Sequence, residues 1–281
     1  MKKMFAIVLA ALMVAALLAG CGSSTAETKA PETTAAPAPA ATEAAAPAET
    51  EAAAPAFTTI EAGKLIMSTN AAFPPYEMVA DDGSFEGIDV EIAGAVAAKL
   101  GLELVGDDMD FDAALLAVQQ DKSDIVMAGV TVNEDRKMVM NFSDTYSKGV
   151  QVVIVKEGSD VTLDNLGDQM IGTQRGTTGY IYASGDYGED HVTAYDNGAS
   201  AVQALMNGQV DCVVIDSAPA EAFVEANPGL TILDTEYTSE DYAIGMSKDN
   251  TALLEAVNAA LAELTADGTI PAIVEKYIPT K

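Results

Sequence analysis

The sequence predicts an α/β protein whose folded part consists of two similar lobes. Short apolar strands alternate with segments of helical periodicity, a pattern that predicts parallel sheets flanked by helices. The segment 113–129 aligns without gaps on 200–216, and each contains a helix, a polar turn, an aspartate and an apolar strand. A repeat this weak also arises by chance between helix–turn–strand units. The size of the folded part, about 225 residues from position 57 onward, independently favours two lobes.

The first 20 residues have the pattern of a secretory signal. Lys2 and Lys3 precede an uncharged apolar run, Met4 to Ala19, which is short for a membrane span. The run ends in Leu-Ala-Gly-Cys, which resembles a bacterial lipobox, where the signal is cut before an acylated cysteine. We therefore expect a signal peptide over 1–20 and a lipidated Cys21 that anchors the chain to the extracytoplasmic face of a cell membrane. The alternative is an ordinary signal peptide with a chance cysteine.

The segment 21–57 has the composition of a tether. From Gly22 to Ala56 the chain contains no Val, Ile, Leu, Met, Phe, Tyr or Trp. Such a segment cannot bury a core, and its recurring prolines argue against a long helix, so we expect a disordered tether. No later apolar run reaches spanning length. A signalling receptor should carry a transmembrane segment and a cytoplasmic domain on the same chain, so this pattern argues against a sensor.

Charge and motif content exclude several functions. The chain has 43 acidic and 14 basic residues, a net charge of −29, which repels nucleic acid and anionic lipid. The one histidine, His191, belongs to no cluster with metal-ligand spacing, and neither a P-loop nor a G-x-S-x-G motif is present. We therefore expect no metal, no cofactor and no catalytic residues. Cys212 is expected to be a small buried apolar residue.

Eight strands and six helices are predicted after the tether. The strands are 65–69, 102–106, 124–129, 150–155, 170–174, 192–195, 210–215 and 242–247. The helices are 89–100, 112–120, 199–207, 217–226, 250–266 and 269–277. In the first helix Ile92, Val96 and Leu100 recur at the spacing of one helical face, and Gly101 follows as a stop.

Candidate binding residues follow from the positions of the strand ends. In open α/β sheets, ligands bind in the crevice beyond the carboxyl ends of the strands. That rule selects Asn70, Gly129 to Thr131, Gln174 to Thr178, and Asp216. Around 174–178 a glycine turn leads into threonines that open a predicted helix, where free N–H groups suit a carboxylate. A helix also follows Asp216, so its carboxylate is either a helix cap or the partner of a ligand ammonium.

Arg136 and two aromatic residues complete the candidate set. The only other arginine is Arg175, and a guanidinium holds a carboxylate through two hydrogen bonds. The alternative for Arg136 is a solvent-exposed ion pair with a neighbouring acidic residue, Glu134 or Asp135. Phe73 and Phe111 lie at joins after strands, where they line a pocket or belong to the core.

Six motifs together resemble the amino-acid-binding proteins of ABC importers, the group that includes histidine-, glutamine- and arginine-binding proteins. They are AAFPPYE, FEGIDVEIAGAVAAKLG, MDFDAALLAVQQDKSDIVMAGVTVNEDRK, NFSDTYSKG, GTQRGTTG and VDCVVIDSAPA, in the order of that family and nearly at its spacing. The resemblance covers residues 61–281. It implies the type II periplasmic-binding-protein fold, with lobe 1 formed by 58–147 and 243–281, lobe 2 by 148–242, a two-strand hinge and the ligand in the cleft.

The resemblance also implies a function and the roles of the residues. It implies a monomeric receptor, not an enzyme, that captures an L-amino acid and delivers it to an ABC permease. Arg136 would bind the ligand carboxylate and Asp216 its ammonium, with Phe73 and Phe111 flanking the side chain. The further ligand-binding positions implied are Gly129, Thr131, Thr177 and Thr178. An alternative on the same fold is an extracytoplasmic dehydratase acting on cyclic acids.

One position departs from the family pattern. Many members have an aspartate where this chain has Asn70, and that aspartate meets a cationic or amide side chain. A neutral amide cannot offset a guanidinium or an ammonium, and Gln174 offers another neutral amide. We therefore expect a ligand with a polar, uncharged side chain.

Overall fold

The computed structural model describes residues 57–234 and 237–279. The predicted signal peptide, Cys21 and the tether up to residue 56 lie outside these described residues. Within them the chain alternates strands and helices, as the periodicity predicts. No helix in this part of the chain is long and apolar enough to cross a membrane.

Twelve strands and eight α-helices form in the described residues. The strands are β1 Lys64–Thr69, β2 Ala72–Phe73, β3 Glu77–Val79, β4 Phe85–Glu86, β5 Glu103–Asp108, β6 Ile125–Val126, β7 Met140–Lys156, β8 Ile171–Gln174, β9 Val192–Tyr195, β10 Cys212–Asp216, β11 Leu230–Ile232 and β12 Thr238–Ser247. The helices are α1 Ile88–Lys99, α2 Phe111–Gln119, α3 Glu134–Val139, α4 Thr178–Tyr187, α5 Gly198–Met206, α6 Ser217–Ala226, α7 Thr251–Ala266 and α8 Thr269–Tyr277.

A single nine-stranded mixed sheet organises the molecule, in the order β5-β1-β6-β12-β7-β10-β8-β9, with β11 on β7. In the first strand group, β5, β1 and β6 are parallel. In the second strand group, β10, β8 and β9 are parallel. The two groups are joined through β7 and β12, which pair antiparallel with each other. The α/β prediction is confirmed, and the parallel strands form two groups.

The paired strands β7 and β12 are regular at both ends and irregular where the two strand groups meet. Residues 238–242 pair with 147–151, and 245–247 pair with 140–142. Register shifts occur between Tyr242 and Ala243 and between Ala243 and Gly245. Irregular pairing leaves some ladder hydrogen bonds unmade and bends a strand. The lobe boundaries predicted at 147/148 and 242/243 fall at this irregularity.

The internal repeat seen in the sequence corresponds to two equivalent units, α2 followed by β6 and α5 followed by β10. In both, an aspartate before the strand accepts a hydrogen bond from a backbone N–H at the start of a neighbouring strand. Asp124 accepts from Ile66 at 2.8 Å, and Asp211 accepts from Met170 at 2.9 Å. The same local hydrogen bond therefore anchors each unit to its own strand group.

The segment 72–86 differs from the loop that the sequence suggests. It forms a small antiparallel sheet of β2, β3 and β4, in which Phe73 lies opposite Glu77. The next turn requires Gly87, because a Cβ there would lie 2.2 Å from the carbonyl oxygen of Tyr76. This small sheet turns both Phe73 and Glu77 toward the ends of β1 and β6.

Cys212 lies in the core between the sheet and α4. It has no exposed surface and is a free cysteine, as expected. Burial raises the pKa of its thiol to about 12. The residue therefore acts as a small apolar side chain in the core and not as a reactive thiol.

Candidate functional site

All ten residues selected as ligand-binding candidates line one narrow cavity between the two strand groups. They are Asn70, Phe73, Phe111, Gly129, Thr131, Arg136, Gln174, Thr177, Thr178 and Asp216. Glu77 and Ala128 also line it, and sequence reasoning missed both. The carboxyl ends of β1, β8 and β10 open onto this cavity, as the strand-end rule requires.

Arg136 lies on α3, and its guanidinium points into this cavity. Asn133 caps the helix, its side chain accepting from the Arg136 N–H at 2.8 Å. The guanidinium donates to the carbonyl oxygen of Thr131 at 2.8 Å and to that of Gly176 at 3.2 Å. Only 8% of Arg136 is exposed, and Glu134 pairs with Lys137 instead, so the alternative of a solvent-exposed ion pair is wrong.

The hydrogen-bond partners of the Arg136 guanidinium are neutral, and the buried carboxylate of Glu240 is close enough to raise its pKa. Burial lowers the pKa of the guanidinium, although such a group stays charged at neutral pH. The partners of its N–H groups are carbonyl oxygens, and its centre lies 5.3 Å from the ring centroid of Phe111. A buried guanidinium with neutral partners favours an anion in the cavity, because the anion would offset its lost hydration.

The turn after β8 faces Arg136 from the second strand group. Gly176 adopts φ +75°, which lets the chain reverse before α4. Thr177 caps that helix and accepts from the N–H of Tyr180 at 3.3 Å. The hydroxyl of Thr178 lies 3.4 Å from that of Thr131. The free N–H groups at the start of α4 thus adjoin the guanidinium, and both favour a carboxylate.

Asp216 ends β10 on the opposite side of the cavity. Its side chain makes no capping hydrogen bond with α6, so its role is not that of a helix cap. It accepts hydrogen bonds from the Tyr242 hydroxyl and, at 2.8 Å, from the Gln151 amide. Burial, and then the nearby charge of Glu240, raise the pKa of Asp216 to about 7. A bound cation would be favoured here, since its positive charge would offset both the burial of the Asp216 carboxylate and its repulsion by Glu240.

Two neutral amides form another part of the wall. Gln174 donates to the side-chain oxygen of Asn70 at 2.9 Å, and Asn70 donates to the carbonyl oxygen of Met109 at 2.9 Å. The side-chain oxygen of Gln174 has no hydrogen-bond partner within the described residues. This part of the cavity therefore offers hydrogen bonds without a formal charge.

The aromatic candidates serve both as core residues and as cavity walls. Phe73 is 7% exposed and stacks on Tyr76 with ring centroids 5.8 Å apart. Phe111, the first residue of α2, lies beneath the Arg136 guanidinium. Gly129 adopts φ +56°, and a Cβ there would lie 2.8 Å from the Phe73 ring. Glycine at this position therefore lets the ring approach the backbone.

Glu77 ends the AAFPPYE motif but was missed, because an acidic residue in a chain with 42 others predicts only a solvated surface. It is fully buried, and both carboxyl oxygens have no hydrogen-bond partner among the described residues. Asp89, at the start of α1, is also fully buried and accepts from the N–H of Gly129 at 2.9 Å. The antiparallel pairing of Glu77 with Phe73 was the missing signal, because it brings Glu77 to the same cavity.

The only histidine in the sequence takes no part in lining this cavity. His191 is outside this cavity and its ring nitrogen lies 3.3 Å from the carbonyl oxygen of Gln169. A search of residues 57–234 and 237–279 finds no group of His, Cys, Asp and Glu side chains that could hold a metal ion.

Comparison with known proteins gives a consistent result. Residues 65–280 match the model of the bacterial extracellular solute-binding proteins, family 3. The chain is 29% identical to the ABC transporter arginine-binding protein 1 of Escherichia coli, over 79% of this chain and 94% of that protein. It is 30% identical to the L-cystine-binding protein TcyJ of Escherichia coli, over 77% of this chain and 83% of that protein.

A solved structure of an ancestral arginine-binding protein bound to glutamine is similar in sequence and in fold. It is 38% identical to this chain, with a TM-score of 0.74, and the match covers 78% of this chain and 99% of that one. At this identity the likeness extends beyond the general architecture. The sequence comparison and the structure comparison therefore indicate the same class, the amino-acid-binding proteins.

Proposed function

The chain belongs to family 3 of the bacterial extracellular solute-binding proteins, and on that premise we propose which ligand it takes and how. It has the type II binding-protein fold, and it is an amino-acid-binding receptor of the ABC-transporter class rather than an enzyme. We propose that it captures a free L-amino acid with a polar, uncharged side chain and delivers it to the permease of its transporter.

The observation that carries this proposal is the presence of Arg136 and Asp216 in one cavity. Arg136 and the N–H of Thr178 would hold the ligand carboxylate. The hydroxyl of Thr131 and the N–H of Thr177 would join them after leaving Glu240 and the carbonyl oxygen of Gln174, to which they donate at 3.0 Å and 3.4 Å. Asp216 and the carbonyl oxygen of Gly129 would hold the ammonium. A free amino acid carries both charges on one carbon atom, so it suits a site that offers a cation and an anion across a narrow space.

The proposed side-chain preference rests on Asn70 and Gln174. Both are neutral, and the free oxygen of Gln174 accepts a hydrogen bond without demanding a positive charge. One relative is named for arginine and one for cystine, while a similar solved structure holds glutamine. These names span charged and uncharged side chains, so the preference of this chain has to come from its own residues.

We also propose that residues 58–147 with 243–281, and residues 148–242, move as two lobes about β7 and β12. Three contacts across the cavity would hold the lobes together. They are Gln174 with Asn70, Arg136 with the carbonyl oxygen of Gly176, and Thr131 with Thr178. A ligand bound to both lobes would favour this closed arrangement by its differential affinity for it.

The anchoring of the receptor is a further part of the proposal. Acylation of Cys21 would hold a monomeric receptor on the outer face of the cell membrane, joined to the folded part by the tether. Cys21→Ser should release the protein from the membrane fraction, and mass spectrometry of the N-terminal peptide should lose the acyl mass. An unacylated Cys21 in the wild-type protein would contradict this part of the proposal.

A thermal-shift screen of the purified mature protein against the twenty amino acids tests the proposed function. A ligand at 100 times its dissociation constant adds about 2.7 kcal/mol to the free energy of unfolding, which a melting curve resolves readily. We expect the largest shift with a polar, uncharged amino acid. If no amino acid raises the melting temperature, the proposed function is wrong.

A further inference from the structure

A pair of buried carboxyl groups beside the cavity is not used by the site described above. Glu77 on β3 and Asp89 on α1 both have no exposed surface. Their backbones are adjacent, because the N–H of Asp89 donates to the carbonyl oxygen of Tyr76 at 2.9 Å. Glu77 lines the cavity directly.

The hydrogen bonds of the pair are unequal. One oxygen of Asp89 accepts from the backbone N–H of Gly129, whereas its Oδ1 and both oxygens of Glu77 have no partner among the described residues. A buried carboxylate without donors is costly, and two adjacent ones are costlier still. One added proton removes a charge and supplies a donor, and Glu77 is the better place for it because it has fewer donors.

The groups facing the pair come from several elements; the acidic ones favour that proton on Glu77, whereas the Tyr146 hydroxyl and the N–H of Gly129 lower the pKa of Asp89. Burial and then the charge of Asp89 raise the pKa of Glu77, with further contributions from Asp216 on β10 and Asp108 on β5. The hydroxyls of Tyr76 and Tyr146 also face the pair. Burial raises the pKa of Asp89 to about 6. The one cationic side chain lining this cavity, Arg136, is bound to carbonyl oxygens.

We propose that Glu77 is a further ligand-contacting residue and that it acts as an uncharged carboxylic acid, sharing one proton with Oδ1 of Asp89. Its remaining oxygen accepts a hydrogen bond from the ligand. This inference rests on the proposed function, since it names how the same site selects its ligand. The shared proton explains how a fully buried glutamate coexists with a ligand whose side chain carries no charge.

Selection between uncharged and cationic ligands then depends on the one proton that Glu77 and Asp89 share. An uncharged side chain binds without changing the proton content of the pair. A cationic side chain near Glu77 favours the ionised pair, so the bound proton must leave to solvent. Its affinity should then rise with pH by about tenfold per unit while the pair remains protonated in the free protein.

Infrared spectroscopy of the ligand-free mature protein at pH 7 tests the proton directly. The spectrum of the wild type should show the C=O stretch of a protonated carboxylic acid that Glu77→Gln removes. Glu86→Gln is the matched control, because Glu86 lies on β4 beside β3 and is exposed. Asp216, whose pKa is about 7, contributes a band of its own at this pH, so the readout is the component that is lost on substitution. A spectrum that loses no C=O component in Glu77→Gln would overturn the shared proton.

Calorimetry then tests the contact with the ligand, using L-glutamine as the uncharged probe and L-arginine as the cationic probe. Glu77→Leu removes the acceptor and should weaken binding of the uncharged probe by on the order of tenfold relative to Glu77→Gln, which keeps an acceptor. Titration in buffers of different ionisation enthalpy measures the protons released. Equal affinity in the Leu and Gln variants, or tighter binding of L-arginine than of L-glutamine without proton release, overturns the proposal. Failure of every amino acid to bind would instead reject the proposed function, and the infrared band would still report on the proton.

Discussion

Gln174 donates a hydrogen bond of 2.9 Å to the side-chain oxygen of Asn70, joining residues 104 positions apart in the chain across the candidate cavity. The Asn70 amide is itself oriented by the carbonyl oxygen of Met109 at 2.9 Å. This chain of contacts leaves the Gln174 oxygen as an acceptor without a partner among the described residues. The hydrogen bond between Gln174 and Asn70 therefore links the two strand groups through uncharged side chains.

The first prediction concerns the charge at position 70. Asn70→Asp places a carboxylate where the neutral amide lies, and a carboxylate offsets a cation that an amide cannot. We expect the affinity for L-arginine relative to L-glutamine to rise by on the order of tenfold. Calorimetry with Asn70→Ala as a control separates the new charge from the lost amide. An unchanged ratio in Asn70→Asp would place the ligand side chain elsewhere.

The second prediction contrasts the two arginines. Arg136→Ala should cost about 3–5 kcal/mol of binding free energy, roughly two to four orders of magnitude in affinity, because it leaves a desolvated carboxylate unpaired. Arg175→Ala is the matched control, since the Arg175 side chain is 52% exposed and pairs with Asp196 at 3.3 Å. An exposed pair contributes little. Near wild-type affinity in Arg136→Ala would contradict its role as the carboxylate anchor.

The third prediction is a pH dependence of binding. The pKa of Asp216 is raised to about 7 in the protein without ligand, and an ammonium binds its ionised form. As the pH falls below about 7, protonation competes with the ligand, so affinity should fall by up to about tenfold per pH unit. Asp216→Asn should bind weakly and lose this dependence. Titrations between pH 5 and 8 check it, and a dependence retained in Asp216→Asn would assign it to another group.

The fourth prediction concerns the backbone at Gly129. Gly129→Ala combines φ +56° with a Cβ only 2.8 Å from the Phe73 ring, so it should lower the free energy of unfolding by about 1–3 kcal/mol. Gly63→Ala is the control, because Gly63 has φ +80° and no heavy atom within 4 Å of its Cβ position. Denaturant titration of both variants compares them. A loss no larger than that of Gly63→Ala would mean that Phe73 moves without cost.

Prediction from sequence was best where structure is local. The helices predicted at 217–226 and 269–277 have those bounds in the structure, because helical periodicity and caps act within a few residues. The helix α3 and the strands β2, β3, β4 and β11 were missed. Elements of two to six residues are too short to show a period, and they form because the rest of the fold supports them.

The candidate site was predictable as far as strand ends identify it. Asn70, Gly129 and Asp216 follow strands, so their position along the chain was sufficient to select them. Arg136 lay between two interpretations on its position alone, and its burial in the structure excludes the surface ion pair. Glu77 had no such signal, because a single acidic residue in an acidic chain predicts only a solvated surface.

The sequence by itself determined the α/β class, the strand ends and ten of the twelve residues that line the cavity. Periodicity and residue type are properties of neighbouring positions, so they need no knowledge of distant contacts. Only the tertiary structure decided which polar side chains are buried next to one another, out of contact with solvent. Burial beside Asp89 separates Glu77 from the other acidic residues, because the ionisation of a carboxyl group depends on the solvent and charges around it.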